Sequence, residues 1–271
     1  MHYDPIKDAL GAFFSSHPAL QRLFYLLLHL VFLRSWYVRR ALRDIAARWP
    51  SDRRIDVLDA GTGFGQYAYY IARRNPNARV LAVDIKPDYL ENARRFVDRT
   101  SCRDRIIFER QDLTDPDIER RFDVIVSVDV MEHIEDDRAV FRHFERLLKD
   151  GGHVIINTPS DRGGSDVEAE GEEGFIDEHV RPGYNMDELC RKLEEAGLEP
   201  VEARYTYGTY GSQAWRLLIK HPMRLLSRTK LAFAILPIYY LVALPVGTVL
   251  NWMDVRTDNA SGTGLIVVAG K

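Results

Sequence analysis

The chain has 271 residues, 46% of them apolar and 28% charged, with 37 Lys and Arg against 40 Asp and Glu. That length and composition support one substantial globular core with additions and argue against a disordered or nucleic-acid-coating chain. Its two cysteines, Cys102 and Cys190, lie far apart with no CxxC or zinc-ligand spacing, so they read as reduced thiols, not as a disulfide framework.

The N-terminus opens with His2, Asp4, Lys7 and Asp8 and lacks a signal-peptide layout, so the body is expected in the cytoplasm. Residues 12–48 read as helical. Within them Leu23 to Leu33 carries no Asp, Glu, Lys or Arg, and the basic cluster Arg34, Arg39, Arg40 and Arg43 follows. Eleven residues are too few to span a bilayer, so this helix either packs on the body or lies in a membrane interface.

The centre alternates strand-like and helix-like segments. Strands are expected at 55–60, 78–85, 105–112, 123–130 and 153–160, with helices over 65–74, 87–99 and 137–148 between them. Apolar strands alternating with helices predict a doubly wound α/β domain with a mostly parallel sheet. A glycine-rich acidic loop occupies 161–175. A helix follows from Asn185, a plausible N-cap, to a stop at Gly197. Strands at 201–208 and 264–270 would bring the sheet to seven.

Between these last two lies a second basic and apolar region. No acidic residue occurs from Ala203 to Met253, while Arg204, Arg216, Lys220, Arg224, Arg228 and Lys230 do. Ser212 could cap a basic amphipathic helix that Pro222 should kink. Leu231 to Met253 is uncharged, with Tyr239, Tyr240 and Trp252 suited to an interface. It is expected to form a re-entrant or surface-lying hairpin, because a full span would separate the last strand from the sheet. A buried cap over the active site and a full span are the other readings. The organisation expected is a helical extension over 1–48, a core domain over 49–211 and 262–271, and a basic apolar insertion over 212–261.

The chemistry concentrates at strand ends. Asp59, Gly61, Thr62, Gly63 and Gly65 stand in VLDAGTGFG, where glycines let the backbone turn sharply and approach a ligand. The spacing is GxGxG and not the GxGxxG of dinucleotide sites, and no GxxxxGK[ST] loop is present. A carboxylate before the turn would repel a pyrophosphate and suits a sulfonium ligand bearing an amino group. Asp84, followed by Ile85, ends the second strand and could accept both hydroxyls of a ribose. Asp112 with Leu113 follows the third and could accept from an adenine amino group. Asp129, Glu132 and His133 follow the fourth, at the carboxyl edge where open α/β sheets hold ligands.

Together these motifs resemble the class I S-adenosylmethionine-dependent methyltransferases, especially the quinone-biosynthesis and small-molecule (type 11/12) branch. VLDAGTGFGQ, AVDIKP, QDL, FDVIVSVDVMEHI and LLKDGGHVIINTPS carry the resemblance, over roughly 50–210 and again at 262–271. It implies a Rossmann-like fold and S-adenosylmethionine as cofactor. Asp59 and Gly61 through Gly65 would line the methionine portion, Asp84 the ribose, Asp112 and Leu113 the adenine, and Asp129 the mouth.

For the transfer itself, His133 is the candidate base, since histidine changes charge near neutral pH. Asp129, Glu132 and His133 are similar to the ExxEH of quinone O-methyltransferases, where such a cluster can hold a divalent ion; no metal is expected here. His179 is a second candidate for base or orienter. Arg181 and Tyr184, with Tyr205 and Tyr207, are candidate substrate contacts. The acceptor is expected to be an O, N or C nucleophile of a lipid, quinone or other amphiphile, met by a protein held peripherally or monotopically on an anionic inner membrane face. Two alternatives stand beside it: a soluble small-molecule methyltransferase whose apolar insertions form a lid or dimer interface, and a non-catalytic cofactor-binding membrane adaptor. Nucleic acid is not an expected substrate, since no NPPY-like segment follows the fourth strand.

Overall fold

Runs such as Val80–Val83 and Val124–Ser127 are buried along their whole length, as strands covered on both faces must be. The computed structural model describes residues 18–50, 52–163, 180–229 and 232–271. Its seven strands are β1 (Ile55–Ala60), β2 (Ala78–Asp84), β3 (Ile106–Arg110), β4 (Phe122–Val128), β5 (Leu148–Pro159), β6 (Glu199–Thr206) and β7 (Gly264–Gly270). They form one sheet in the order β3-β2-β1-β4-β5-β7-β6. The first five are parallel, and β7 runs antiparallel between β5 and β6. The order reverses between β1 and β4, which opens a crevice at their carboxyl ends.

Helices cover both faces. One face packs α2 (Leu33–Ala46), α3 (Gln66–Arg74) and α4 (Pro87–Val97) through Val38, Ala68, Ala93 and Phe96. The other packs α5 (Asp137–Leu147) and α6 (Met186–Glu195) through Phe141, Phe144, Leu189 and Leu193. Asn185 caps α6 as expected, accepting from the N–H groups of Asp187 and Glu188.

The N-terminal helix is not continuous. It divides into α1 (Pro18–Val31) and α2 at Phe32, whose backbone is extended (φ −86, ψ 113). The Asn251 amide faces the carbonyls of Leu30 and Val31 at the break, and the Trp36 indole donates to Leu30 at 3.0 Å. Tertiary partners thus satisfy the groups a broken helix exposes.

The insertion also differs from expectation. Residues 232–253 do not fold back on themselves: α9 (Ala232–Arg256) is a single helix containing both Pro237 and Pro245. It is the second arm of a helical hairpin whose first arm comprises α7 (Thr209–Trp215), a π-turn (Arg216–Lys220) and α8 (His221–Arg228). Ser212 lies inside α7, where its hydroxyl donates to the Tyr207 carbonyl, and does not cap it. Pro222 does not divide the first arm, because the π-turn absorbs it. Tyr239 and Tyr240 turn away from an interfacial role and donate to the Leu217 and Leu218 carbonyls, both at 2.7 Å. At the base of the hairpin, the buried Asp254 carboxylate accepts from the Tyr37 hydroxyl and the Gly211 N–H, each at 2.8 Å.

Candidate functional site

The sheet order arranges the acidic residues in a row. Asp112 follows β3, Asp84 ends β2, Asp59 lies near the end of β1 and Asp129 follows β4, on four adjacent strands. Three inter-strand spacings make that row about 14 Å long, the scale of an extended nucleoside with a side arm.

The turn after β1 is shaped for a ligand. Gly61 and Gly63 are both left-handed, at φ 80 and 53. A Cβ on Gly61 would strike Val130, whereas one on Gly63 would meet nothing within 4 Å. Gly63 therefore faces open space, and its N–H donates to Asp84 Oδ2 at 2.8 Å. The other Asp84 oxygen accepts from the Lys86 N–H. Ile85 beside it is exposed. Asp112 is braced by the Thr114 hydroxyl and N–H, which hold its carboxyl below the ordinary range. The Leu113 carbonyl accepts from His143, so that histidine fixes the loop that the sequence assigns to adenine.

Asp59 is engaged inside the protein. It is 2% exposed, and its Oδ2 accepts from the Thr62 hydroxyl and the Ala68 N–H. Burial pushes its carboxyl up to about 6 against these donors. Its structural work is to tie the glycine turn to the start of α3.

Asp129 carries a left-handed backbone (φ 53) fixed by its N–H on the Asn157 carbonyl at 2.8 Å. Its Oδ2 pairs at 2.8 Å with Arg34 from the first turn of α2. Tyr207, also left-handed (φ 56), accepts from the Arg34 N–H. Glu132 is 1% exposed and accepts from the Thr158 hydroxyl. Burial, reinforced by Asp129, pushes its carboxyl up to about 8, so it holds a proton at neutral pH. His133 is exposed while Glu132 is buried, so the DxxEH segment does not converge as a ligand set. Among the described residues no group of three His, Cys, Asp or Glu could hold a metal ion.

The remaining candidates fall elsewhere. His179 lies outside the described residues. The Arg181 guanidinium is committed to Asp137, the Tyr184 hydroxyl and the Ile134 and Glu135 carbonyls. Tyr184 is fully buried and donates to Asp137 at 2.8 Å. These two expected substrate contacts instead tie the segment before α6 to the loop before α5. Tyr205 is buried in the core beneath the Arg162 guanidinium. Arg34, Thr158 and Tyr67, whose hydroxyl bonds that of Ser35 beside Arg34, were not foreseen as site residues. Arg34 stands in a basic run that reads as a surface feature, and no spacing in the chain connects it to Asp129.

The comparisons with known proteins bear on the family and the fold. A family model for the methyltransferase domain matches residues 33–203. The 27-O-demethylrifamycin SV methyltransferase of Amycolatopsis mediterranei is 30% identical, over 54% of this chain and 55% of its own. A tRNA1(Val) (adenine(37)-N6)-methyltransferase of Phocaeicola vulgatus is 33% identical, over 54% of this chain and 65% of its own. The structure of phosphoethanolamine N-methyltransferase 2 of Haemonchus contortus, in complex with S-adenosyl-L-methionine, shares the fold with a TM-score of 0.57. Its identity is 21%, with 84% of this chain and 51% of that one covered. The chain spans about half or less of the length of the curated relatives it first matches.

Proposed function

This chain belongs to the methyltransferase-domain family, and on that premise we propose that it methylates an O, N or C nucleophile of a lipid, isoprenoid quinone or similar amphiphile at the cytoplasmic face of a membrane. The cofactor reading rests on the row Asp112, Asp84, Asp59, Asp129 and on the open cradle at Gly63. Bound S-adenosylmethionine would supply an electrophilic methyl group. The protein's own work is to hold an acceptor about 3–3.5 Å from that carbon, in line with the departing sulfur. His133, exposed and at the carboxyl edge, would take the acceptor's proton.

The observation that carries the amphiphile reading is the outer face of α9. Ile238, Leu241 and Val242 are 70%, 75% and 70% exposed, and Ile235, Val246, Val249 and Trp252 continue the stripe. Contiguous apolar surface of this kind marks an interaction site. Among the described residues Ala234–Arg256 is the one stretch long and apolar enough to cross a membrane. Both ends of the hairpin return to the sheet, at β6 and β7, which favours a surface-lying arm over a single crossing. The absence of acidic residues from 203 to 253 suits anionic lipid and opposes pairing of two such faces.

The test is transfer of a labelled methyl group to total lipid extract and, separately, to aqueous metabolites, alongside sedimentation with anionic and neutral vesicles at low and high salt. Label in the lipid fraction and binding to anionic vesicles are expected. Label in the aqueous fraction alone, with no vesicle binding at either salt, would replace this reading with a soluble small-molecule enzyme whose α9 face serves as a lid or dimer interface.

A further inference from the structure

The row of acidic residues leaves one chemical requirement unmet. If ribose lies at Asp84, the amino-acid end of S-adenosylmethionine falls toward β1 and β4. That end is a zwitterion, so it needs an acceptor for its ammonium group and a cation for its carboxylate. Asp59 is poorly placed to supply the first: it is 2% exposed and holds the Thr62 hydroxyl and Ala68 N–H. The glycine turn carries no cation at all.

The next strand end holds both groups. Arg34 Nη1 meets Asp129 Oδ2 at 2.8 Å, with both side chains about one-third exposed (29% and 32%). Asp129 Oδ1 and the other two guanidinium nitrogens of Arg34 have no hydrogen-bond partner among the described residues. Guanidinium and carboxylate thus stand side by side with bonding capacity to spare, and each is held in place. Asp129 is fixed by its N–H on Asn157. The start of α2 is fixed by the Tyr207 hydroxyl and by the Phe32 ring beneath the guanidinium at 4.4 Å. The N-terminal end of the dipole of this 14-residue helix adds positive potential at the same point.

Resting on the cofactor reading above, we infer that Arg34 and Asp129 form the receptor for the zwitterionic end of the cofactor, Arg34 taking its carboxylate and Asp129 its ammonium group. The consequence reaches beyond one contact. Arg34 rides on the N-terminal helices, and the Tyr25 hydroxyl of α1 donates to the Phe64 carbonyl of the glycine turn. The extension therefore completes the cofactor site from both sides of the β1–β4 crevice. Its basic residues are not all surface charge: Arg34 serves the site, Arg39 lies over Tyr70 and Arg40 donates to the Val255 carbonyl.

Two ligands isolate the claim. S-adenosylhomocysteine carries the zwitterionic arm and 5′-methylthioadenosine lacks it, while both keep the adenosine and a thioether. By calorimetry on the full chain, Arg34→Ala is expected to weaken S-adenosylhomocysteine on the order of 10- to 100-fold, as lost charge-assisted hydrogen bonds do. Methylthioadenosine should change by no more than about twofold, because it makes no such bonds. Asp129→Asn should show the same selectivity. Arg34→Lys, which keeps a cation for Asp129 and so the anchorage of α2, should show a smaller but equally selective loss, and decides the matter if Arg34→Ala does not fold. Equal losses for both ligands, or no loss for either, would make Arg34 a latch for α2 and overturn the inference. A wild-type protein that binds neither ligand would overturn the cofactor reading itself and this inference with it.

Discussion

Tyr240 donates its hydroxyl at 2.7 Å to the carbonyl of Leu218, the oxygen four residues before Pro222. Proline has no N–H to give to that carbonyl, so the facing helix supplies the missing donor. Tyr239 does the same for Leu217, inside the π-turn. Gly247 lets the two arms close at this level, since a Cβ there would sit 2.5 Å from Leu218. Tyr240→Phe should therefore cost about 1 kcal/mol of stability in urea unfolding, the scale of one hydrogen bond lost with its acceptor left unpaired. An unchanged midpoint and slope would show that water replaces the hydroxyl without cost.

The pH dependence of stability should follow Glu132. In the folded protein it keeps its proton up to about pH 8, whereas the unfolded chain releases it near 4.5. Between those values the folded state binds more protons, so stability falls as pH rises through the window and the loss is complete above pH 8. Asp59 adds the same trend between its ordinary 3.8 and about 6. Glu132→Gln should be more stable than wild type above pH 8 and gain nothing near pH 4.5. Parallel stability curves across that range would refute the proton on Glu132.

The two glycines of the turn should separate fold from ligand. Gly61→Ala would combine a φ of 80 with a Cβ 2.2 Å from Val130 Cγ2. It should cost about 3 kcal/mol or more, the sum of left-handed strain and overpacking. Gly63→Ala has the strain without the clash and should cost about 1–2 kcal/mol. Its Cβ would enter the open cradle, so S-adenosylhomocysteine should bind at least about tenfold more weakly as contacts are displaced. Full binding by a folded Gly63→Ala protein would move the cofactor away from this turn.

Ile238→Glu with Leu241→Glu tests the outer face of α9. Both side chains are exposed, so chemical stability should stay within about 0.5 kcal/mol of wild type. Vesicle affinity should fall by at least about tenfold, since each large apolar side chain contributes about 1.5–3 kcal/mol when buried. Unchanged partitioning to anionic vesicles would remove α9 from the docking surface.

The sequence by itself determined the alternation of strands and helices, the glycine turn and the four strand-end carboxylates, because periodicity, turn chemistry and local spacing are written along the chain. It could not order them in space. In chain order they run Asp59, Asp84, Asp112, Asp129; across the sheet they run Asp112, Asp84, Asp59, Asp129, because the crossover after β3 carries the chain back past β1. Nor could it show that Asp59 is spent on its own turn, that Arg181 and Tyr184 serve Asp137, or that Arg34 leaves a basic run to face Asp129. The same holds for 232–253. Its prolines locally favour a bend, but within α9 the arm opposite supplies tyrosine-bonded carbonyls and a close-packed Leu218, and the segment stays one helix. Asp59 finds its partners nearby in the chain, at Thr62 and Ala68, and burial decides its role; the other outcomes depend on partners distant in sequence, which only the tertiary fold brings within reach.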